Sequence, residues 1–163
     1  MKSNLTLVTG LFNLGRGDMT TDFNRPFTKY LECFERLLKL DFQMVIYIEP
    51  ENEPFVWKFR KPENTRVILK TLDDLRAMPF YDQIQRIRND PTWSGQTDWI
   101  DNGVHHAGWL ANSTQAGLEL YNPLIMSKQF MLNDASLFNH FNSKYYLWID
   151  AGLANSVHLE SYM

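Results

Sequence analysis

The chain has 163 residues, of which 44% are hydrophobic, 14% aromatic and 21% charged, and its formal net charge is −3. That length suits a single domain spanning residues 1–163 with its own core, and the aromatic load excludes a solvated, disordered segment. The acid excess excludes a nucleic-acid binder held by charge, the lone Cys33 excludes an internal disulfide framework, and no apolar run reaches the roughly 20 residues of a membrane span.

The N-terminus opens straight into a strand-like segment rather than a signal sequence, so a cytoplasmic location is expected. Residues 5–8 form a short apolar run cut by Thr9-Gly10, which predicts a buried strand. From Pro26 the pattern turns helical, with Phe27, Leu31, Phe34 and Leu38 recurring at helical spacing and Asn24 placed to cap the start. Residues 44–48 and 65–69 predict two more buried strands. Thr71 with Asp74 resembles the opening of a short helix, and Tyr81, Ile84 and Ile87 predict another. Residues 90–121 carry no clear period apart from a helix near 113–121. Their Trp93, Trp99 and Trp109 serve either as core or as stacking platforms. Residues 122–139 predict the longest helix, apolar on two sides and therefore expected to be sandwiched, with Lys128 out of place in its stripe. Residues 145–149 predict a fourth buried strand, ended by Asp150-Ala151-Gly152.

Strand and helix alternate, and the strands are continuous apolar runs, which predicts an α/β fold with a mostly parallel sheet covered on both faces. Ligands of such sheets bind beyond the carboxyl ends of the strands, so the residues just after each strand are the first candidates for a site. Asp150, at the end of an apolar strand, is placed either to hold a divalent cation or a hydroxyl, or to cap a turn. The loop after the first strand has glycines at 10, 15 and 17, which fit neither a dinucleotide fingerprint nor a P-loop, and this argues against a Rossmann oxidoreductase. It is either a flexible connection or a ligand loop carrying Arg16. Neighbouring His105 and His106 have no third ligand at metal-binding spacing. Cys33, within the first helix and without a basic neighbour, reads as an inert half-buried thiol.

Three segments, Leu7-Val8-Thr9-Gly10-Leu11-Phe12-Asn13-Leu14-Gly15-Arg16-Gly17, Tyr121-Asn122-Pro123-Leu124-Ile125-Met126-Ser127-Lys128 and Tyr146-Leu147-Trp148-Ile149-Asp150-Ala151-Gly152, resemble the HtrL/YibB family of bacteria. The likeness runs in order through nearly the whole chain. It implies a GT-A-like nucleotide-diphospho-sugar transferase fold, a mostly parallel twisted sheet flanked by helices. It also implies association with lipopolysaccharide and other surface-polysaccharide synthesis. A looser resemblance to glycogenin-like glycosyltransferases rests on Ser127-Lys128, the following strand and Asp150. By that analogy Thr9, Gly10, Phe12, Asn13 and Arg16 lie at the nucleotide, Lys128 approaches the diphosphate or donor sugar, and Asp150 binds a divalent cation, Mn or Mg. Gly152 stands where the second acid of the metal motif is found in those enzymes.

The function so implied is transfer of a sugar from a nucleotide-sugar donor to a lipopolysaccharide or other cell-surface saccharide acceptor. It involves no nucleic acid and no transmembrane segment, and leaves room for peripheral membrane association. Measured against the GT-A fold, the chain is expected to be the donor-binding, C-terminally truncated portion of a larger family domain. The alternative is a non-catalytic or truncated nucleotide-binding relative with no transferase activity of its own. The residues name no catalytic base.

Overall fold

In the computed structural model, residues 4–95, 99–101, 104–106 and 109–153 are described. They fall into two compact units, one made of the described residues within 4–12, 28–72 and 127–153 and the other of those within 13–27 and 73–126.

The first unit is an α/β layer built on a four-stranded parallel sheet. Its strands are β1 (Leu5–Leu11), β2 (Gln43–Ile48), β3 (Thr65–Leu69) and, last in the chain, a strand at Tyr145–Trp148. In space β3 is followed by β2, then β1, then the last strand, all parallel. The four predicted strands are all present, but only the central two are mostly buried. Val8, Met44, Ile46 and Ile48 have no measurable exposure, whereas β3 exposes Arg66 and Leu69 and the last strand exposes Tyr145 and Leu147. The expectation of four fully buried strands therefore fails at the two strands that lie at the sheet's ends, where a neighbour exists on one side only.

Helix α1 (Phe27–Leu38) buries Cys33, Phe34, Leu37 and Leu38, so of the predicted stripe Phe34 and Leu38 are buried while Phe27 and Leu31 are only half-buried. Asn24 does not cap it. Its side-chain amide is spent on the carbonyls of Gly17 and Met19, at 2.6 and 2.7 Å, which ties the preceding loop to itself. The short α2 (Glu53–Trp57), which the sequence pattern does not reveal, sets Phe55 against Phe34 of α1 with near-parallel rings. Right-handed crossovers put α1 and α2 on one face of the sheet, since both connect strands laid down in the same direction.

The second unit holds α4 (Tyr81–Arg88), α5 (Pro91–Gly95) and α6 (Thr114–Gly117), reached through α3 (Leu72–Arg76). It also contains a two-stranded antiparallel ladder, β4 (Trp99–Asp101) with β5 (Val104–His106). The segment expected to be irregular is thus partly ordered, and Ser113 caps α6 by accepting from the amide of Ala116. Glu119 organises this unit. It takes Arg76 Nε at 2.8 Å and Nη2 at 3.3 Å and also the Tyr81 hydroxyl, while its carbonyl accepts from Gln85.

Helix α7 (Tyr121–Phe138) then leads to β6, the strand at Tyr145–Trp148. The buried Tyr47 of β2 donates its hydroxyl to the carbonyl of Met131 at 2.9 Å, which fixes α7 on the Tyr47 face of the sheet. Burial, with the charge of Asp134 added, pushes that hydroxyl up to about 12. Met131 and Ala135 are buried, but Met126, Phe130 and Leu137 are exposed, Leu137 by 73%. The expected two-sided sandwich is therefore one-sided among the described residues. The helix ends because Asn139 takes a left-handed conformation, φ 40°, and its side chain accepts from the amide of Ser143 and the hydroxyl of Tyr146.

Below the sheet, Arg60 does what no local pattern announces. It is 6% exposed and donates to Thr65 Oγ1 and to the carbonyls of Leu38, Leu40, Phe42 and Asn64. One guanidinium thereby satisfies the end of α1, the turn into β2 and the approach to β3. Burial pulls its pKa below the ordinary arginine value, with Asp41 opposing. Arg60→Ala removes the donor to Thr65 Oγ1 and to four carbonyls, of which those of Leu40 and Asn64 keep a backbone donor. The substitution is expected to cost ~3 kcal/mol in urea unfolding; a loss under ~1 kcal/mol would show that water replaces the guanidinium.

Glu119 makes a second, pH-dependent prediction. Its bonds from Arg76 and Tyr81 lower its carboxyl to about 2, so its stabilising contribution is complete above about 4.5 and is lost as pH falls toward about 2. The group is 40% exposed and the effect is screened accordingly. Glu119→Gln should lower the melting temperature by about 1–2 °C at pH 7, with the difference from wild type vanishing near pH 2–3. A difference independent of pH would overturn the assignment.

Candidate functional site

A parallel sheet offers a ligand crevice where the strand order reverses, beyond the carboxyl ends of the strands on either side. Here the reversal lies at β1, which pairs with β2 on one side and β6 on the other. The register sets Val8 beside Val45 and Trp148, and Gly10 beside Tyr47, so these positions share one face. A Cβ at Gly10 would lie 3.3 Å from the rings of both Phe12 and Trp148 and 3.4 Å from the Tyr47 carbonyl. Gly10 is thus a strand residue whose missing side chain lets two aromatic rings lie against the backbone, rather than the hinge of a flexible loop.

Trp148 in turn reaches the acid two residues on. Its Nε1 donates to Asp150 Oδ1 at 2.7 Å, and Lys128 Nζ approaches the same oxygen at 2.6 Å. The ammonium also stands 5.9 Å from the centre of the indole, close enough for a cation–π contribution. Lys128 follows Ser127, which is fully buried with Met131 and Ala135 along α7, so its stem runs beside the buried stripe and only the amine is polar. That is why a lysine is tolerated in an apolar stripe. The Lys128 side chain is 23% exposed and that of Asp150 55%. Partial burial pushes the Asp150 carboxyl up, but the bonds from Lys128 and Trp148 and the lysine charge outweigh it. The group lies below the usual carboxylate range and is ionised at neutral pH.

Of the sequence-derived candidates, Lys128 and Asp150 meet directly, and Gly10 and Phe12 pack at the Trp148 ring. Thr9 does not join them. Strand alternation turns it to the other face, where its Oγ1 is buried without a hydrogen-bond partner among the described residues. Asn13 and Arg16 belong to the other unit. There the Asn13 side chain accepts from the amide of Gly15, whose φ is 74°, and Arg16 Nε donates to the Phe23 carbonyl at 2.7 Å, so both residues shape their own loop. That loop lines a cleft of about 310 Å³ with Asp18, Thr20 and Thr21 on one wall and Asn112 on the other. The side chains of Trp99, Trp109, His105 and His106 lie outside the described residues. Cys33 is buried and unpaired, in keeping with an inert thiol.

Two participants escape a reading by motif. Trp148 stands two residues before Asp150, and period-two alternation alone would have aimed both to one side. Glu49, at the carboxyl end of β2, is a carboxylate only 5% exposed, and the proline after it hides it as an ordinary strand terminator.

A divalent cation at Asp150 needs further oxygen ligands around it. The described residues do not supply them. Oδ1 of Asp150 already accepts from Lys128 and Trp148, and among the described residues no group of three His, Cys, Asp or Glu is placed to hold a metal. At position 152 a Cβ would face the Tyr30 ring at 3.4 Å, an apolar surface. Among the described residues, the surroundings of Asp150 therefore do not match the metal role implied for it.

Residues 3–161 match the family described as bacterial protein of unknown function (HtrL_YibB). The chain is also similar to Protein HtrL of Escherichia coli (strain K12), 30% identical over 105 residues, which is 60% of this chain and 36% of that protein. The match thus spans about a third of the relative's length. No solved structure matches the chain significantly. Among the described residues no helix is long and apolar enough to cross a membrane.

The orphaned hydroxyl of Thr9 gives a direct check on its role. Thr9→Val keeps the shape and removes a buried unsatisfied group, so it should stabilise the fold by ~1 kcal/mol in urea unfolding. A destabilisation of that size would show instead that the hydroxyl has a structural partner.

Proposed function

We propose that this chain, which belongs to the bacterial HtrL_YibB family, carries a GT-A-like donor site for a nucleotide-sugar at the carboxyl edge of β1 and β6. In this reading the sugar passes to a lipopolysaccharide or other cell-surface saccharide acceptor. The single observation that carries the proposal is the Lys128 ammonium held 2.6 Å from Asp150, beside Trp148, at the point where the strand order reverses.

The chemistry is one of charge. Departure of a nucleoside diphosphate from the sugar builds negative charge on phosphate oxygens, and a cation already fixed in place stabilises it without reorganising. Asp150 orients the amine, and the indole of Trp148 lies beside the ion pair. Gly10 leaves the β1 backbone low enough for these rings to reach the crevice.

A second reading has its own observation. Both donors to Asp150, Lys128 and Trp148, meet at its Oδ1 and hold the carboxylate in an ion pair, an arrangement that would equally suit a domain that binds the nucleotide and transfers nothing.

Thermal-shift measurements with UDP- and GDP-sugars test the proposal. A ligand at about a hundred times its Kd should raise the melting temperature by roughly 5–10 °C. Asp150→Ala should remove that shift. Release of nucleoside diphosphate in the presence of a saccharide acceptor separates transfer from mere binding. No shift with any nucleotide-sugar would sink the donor-site reading.

A further inference from the structure

We propose that Lys128 itself is the cation of this site, so that a phosphate-bearing ligand is held without a divalent metal ion. The inference rests on the reading of the crevice as a nucleoside-diphosphate site and specifies how that site handles charge.

Three independent features of the geometry point to it. The first is the occupancy of Asp150. Its Oδ1 accepts two donors, the Lys128 ammonium at 2.6 Å and the Trp148 indole at 2.7 Å. A metal bound there would have to displace the amine or sit beside it, and a dication next to a fixed ammonium is repelled.

The second feature is the surroundings of position 152. In an acid-x-acid arrangement the third residue contributes the second carboxylate. Here the third residue is Gly152, and any side chain built on it would start 3.4 Å from one carbon of the Tyr30 ring and 3.5 Å from another. The fold therefore directs this position toward an aromatic surface on α1 rather than toward Asp150.

The third feature is the way the amine is held. Its stem follows the buried stripe of α7, and its side chain is 23% exposed, which restricts the positions the ammonium can take. An ammonium has three N–H groups, and Asp150 takes one, so donors remain for phosphate oxygens. Placing the cation on a rigid helix serves the purpose that coordination geometry serves in a metal site.

The experiment is isothermal titration of the full chain with UDP and GDP, in buffer with EDTA and in buffer with Mn²⁺. The expected Kd in EDTA is within about two-fold of that in Mn²⁺. Lys128→Met should weaken binding by about ten-fold or more in both buffers, the loss of one charge-assisted contact. Lys128→Arg, which keeps the charge and guards against a misfolded methionine variant, should bind within about five-fold of wild type in EDTA. Binding that appears only with Mn²⁺ overturns the inference and leaves the nucleotide site standing. So does a Lys128→Met variant that binds as wild type in EDTA. No binding of either nucleotide in either buffer overturns the inference together with the donor-site reading.

Discussion

The first unit depends on one constraint, the burial of β1 and β2 on both faces. A strand flanked on each side by another strand and covered above and below has no water to satisfy its backbone, so every amide and carbonyl must find a partner in the ladder. Parallel pairing to β3 and β6 supplies those partners, and parallel pairing in turn requires long crossovers. The crossovers bring α1 and α2 to one face and α7 to the other. Once α7 is fixed there by Tyr47, Lys128 has little choice about where its amine can go.

The same constraint explains where the polar groups inside the unit sit. Arg60 gathers carbonyls at the end of α1 and in the turn into β2, one of which, that of Leu40, also accepts from the Phe42 amide. At the same end, Ser143 joins Thr6 at 2.8 Å and Gln43 at 3.1 Å, so three segments entering the sheet are tied by one hydroxyl. At the opposite end of the strands the polar groups do not simply close the fold. Lys128, Trp148 and Asp150 form a charged cluster that is half open to solvent, and Glu49 is a buried carboxylate one strand away. One end of the sheet is built for closure and the other concentrates charge, the asymmetry expected of an α/β domain with a ligand edge.

Much of this was legible in the residues. Short uninterrupted apolar runs marked the strands, and helical spacing marked α1, α4 and α7 within a few residues of their ends. Lys128 in an apolar stripe and Asp150 at a strand terminus were both conspicuous, and they do meet. The short elements were not legible. α2 and the β4–β5 ladder are too brief for a period to emerge from a few side chains. Thr9, which the resemblance groups with Gly10, sits on the opposite face of β1, because a strand turns neighbours to opposite sides. Asn24 was placed to cap, but what it supplies is its amide donor, to the carbonyls of Gly17 and Met19.

The boundary between the two kinds of information is physical. Fold class, the order of the main elements and the residues that would be anomalous if buried could all be read from the chain. They depend on local periodicity and on the cost of placing charge among apolar side chains. Which anomalies answer one another is a matter of tertiary structure. Lys128 and Asp150 are 22 residues apart, Tyr47 and Met131 are 84 apart, and Thr6 and Ser143 are 137 apart. No periodicity spans such distances. Only the strand order, set by which faces had to be covered, brings those groups within hydrogen-bonding reach.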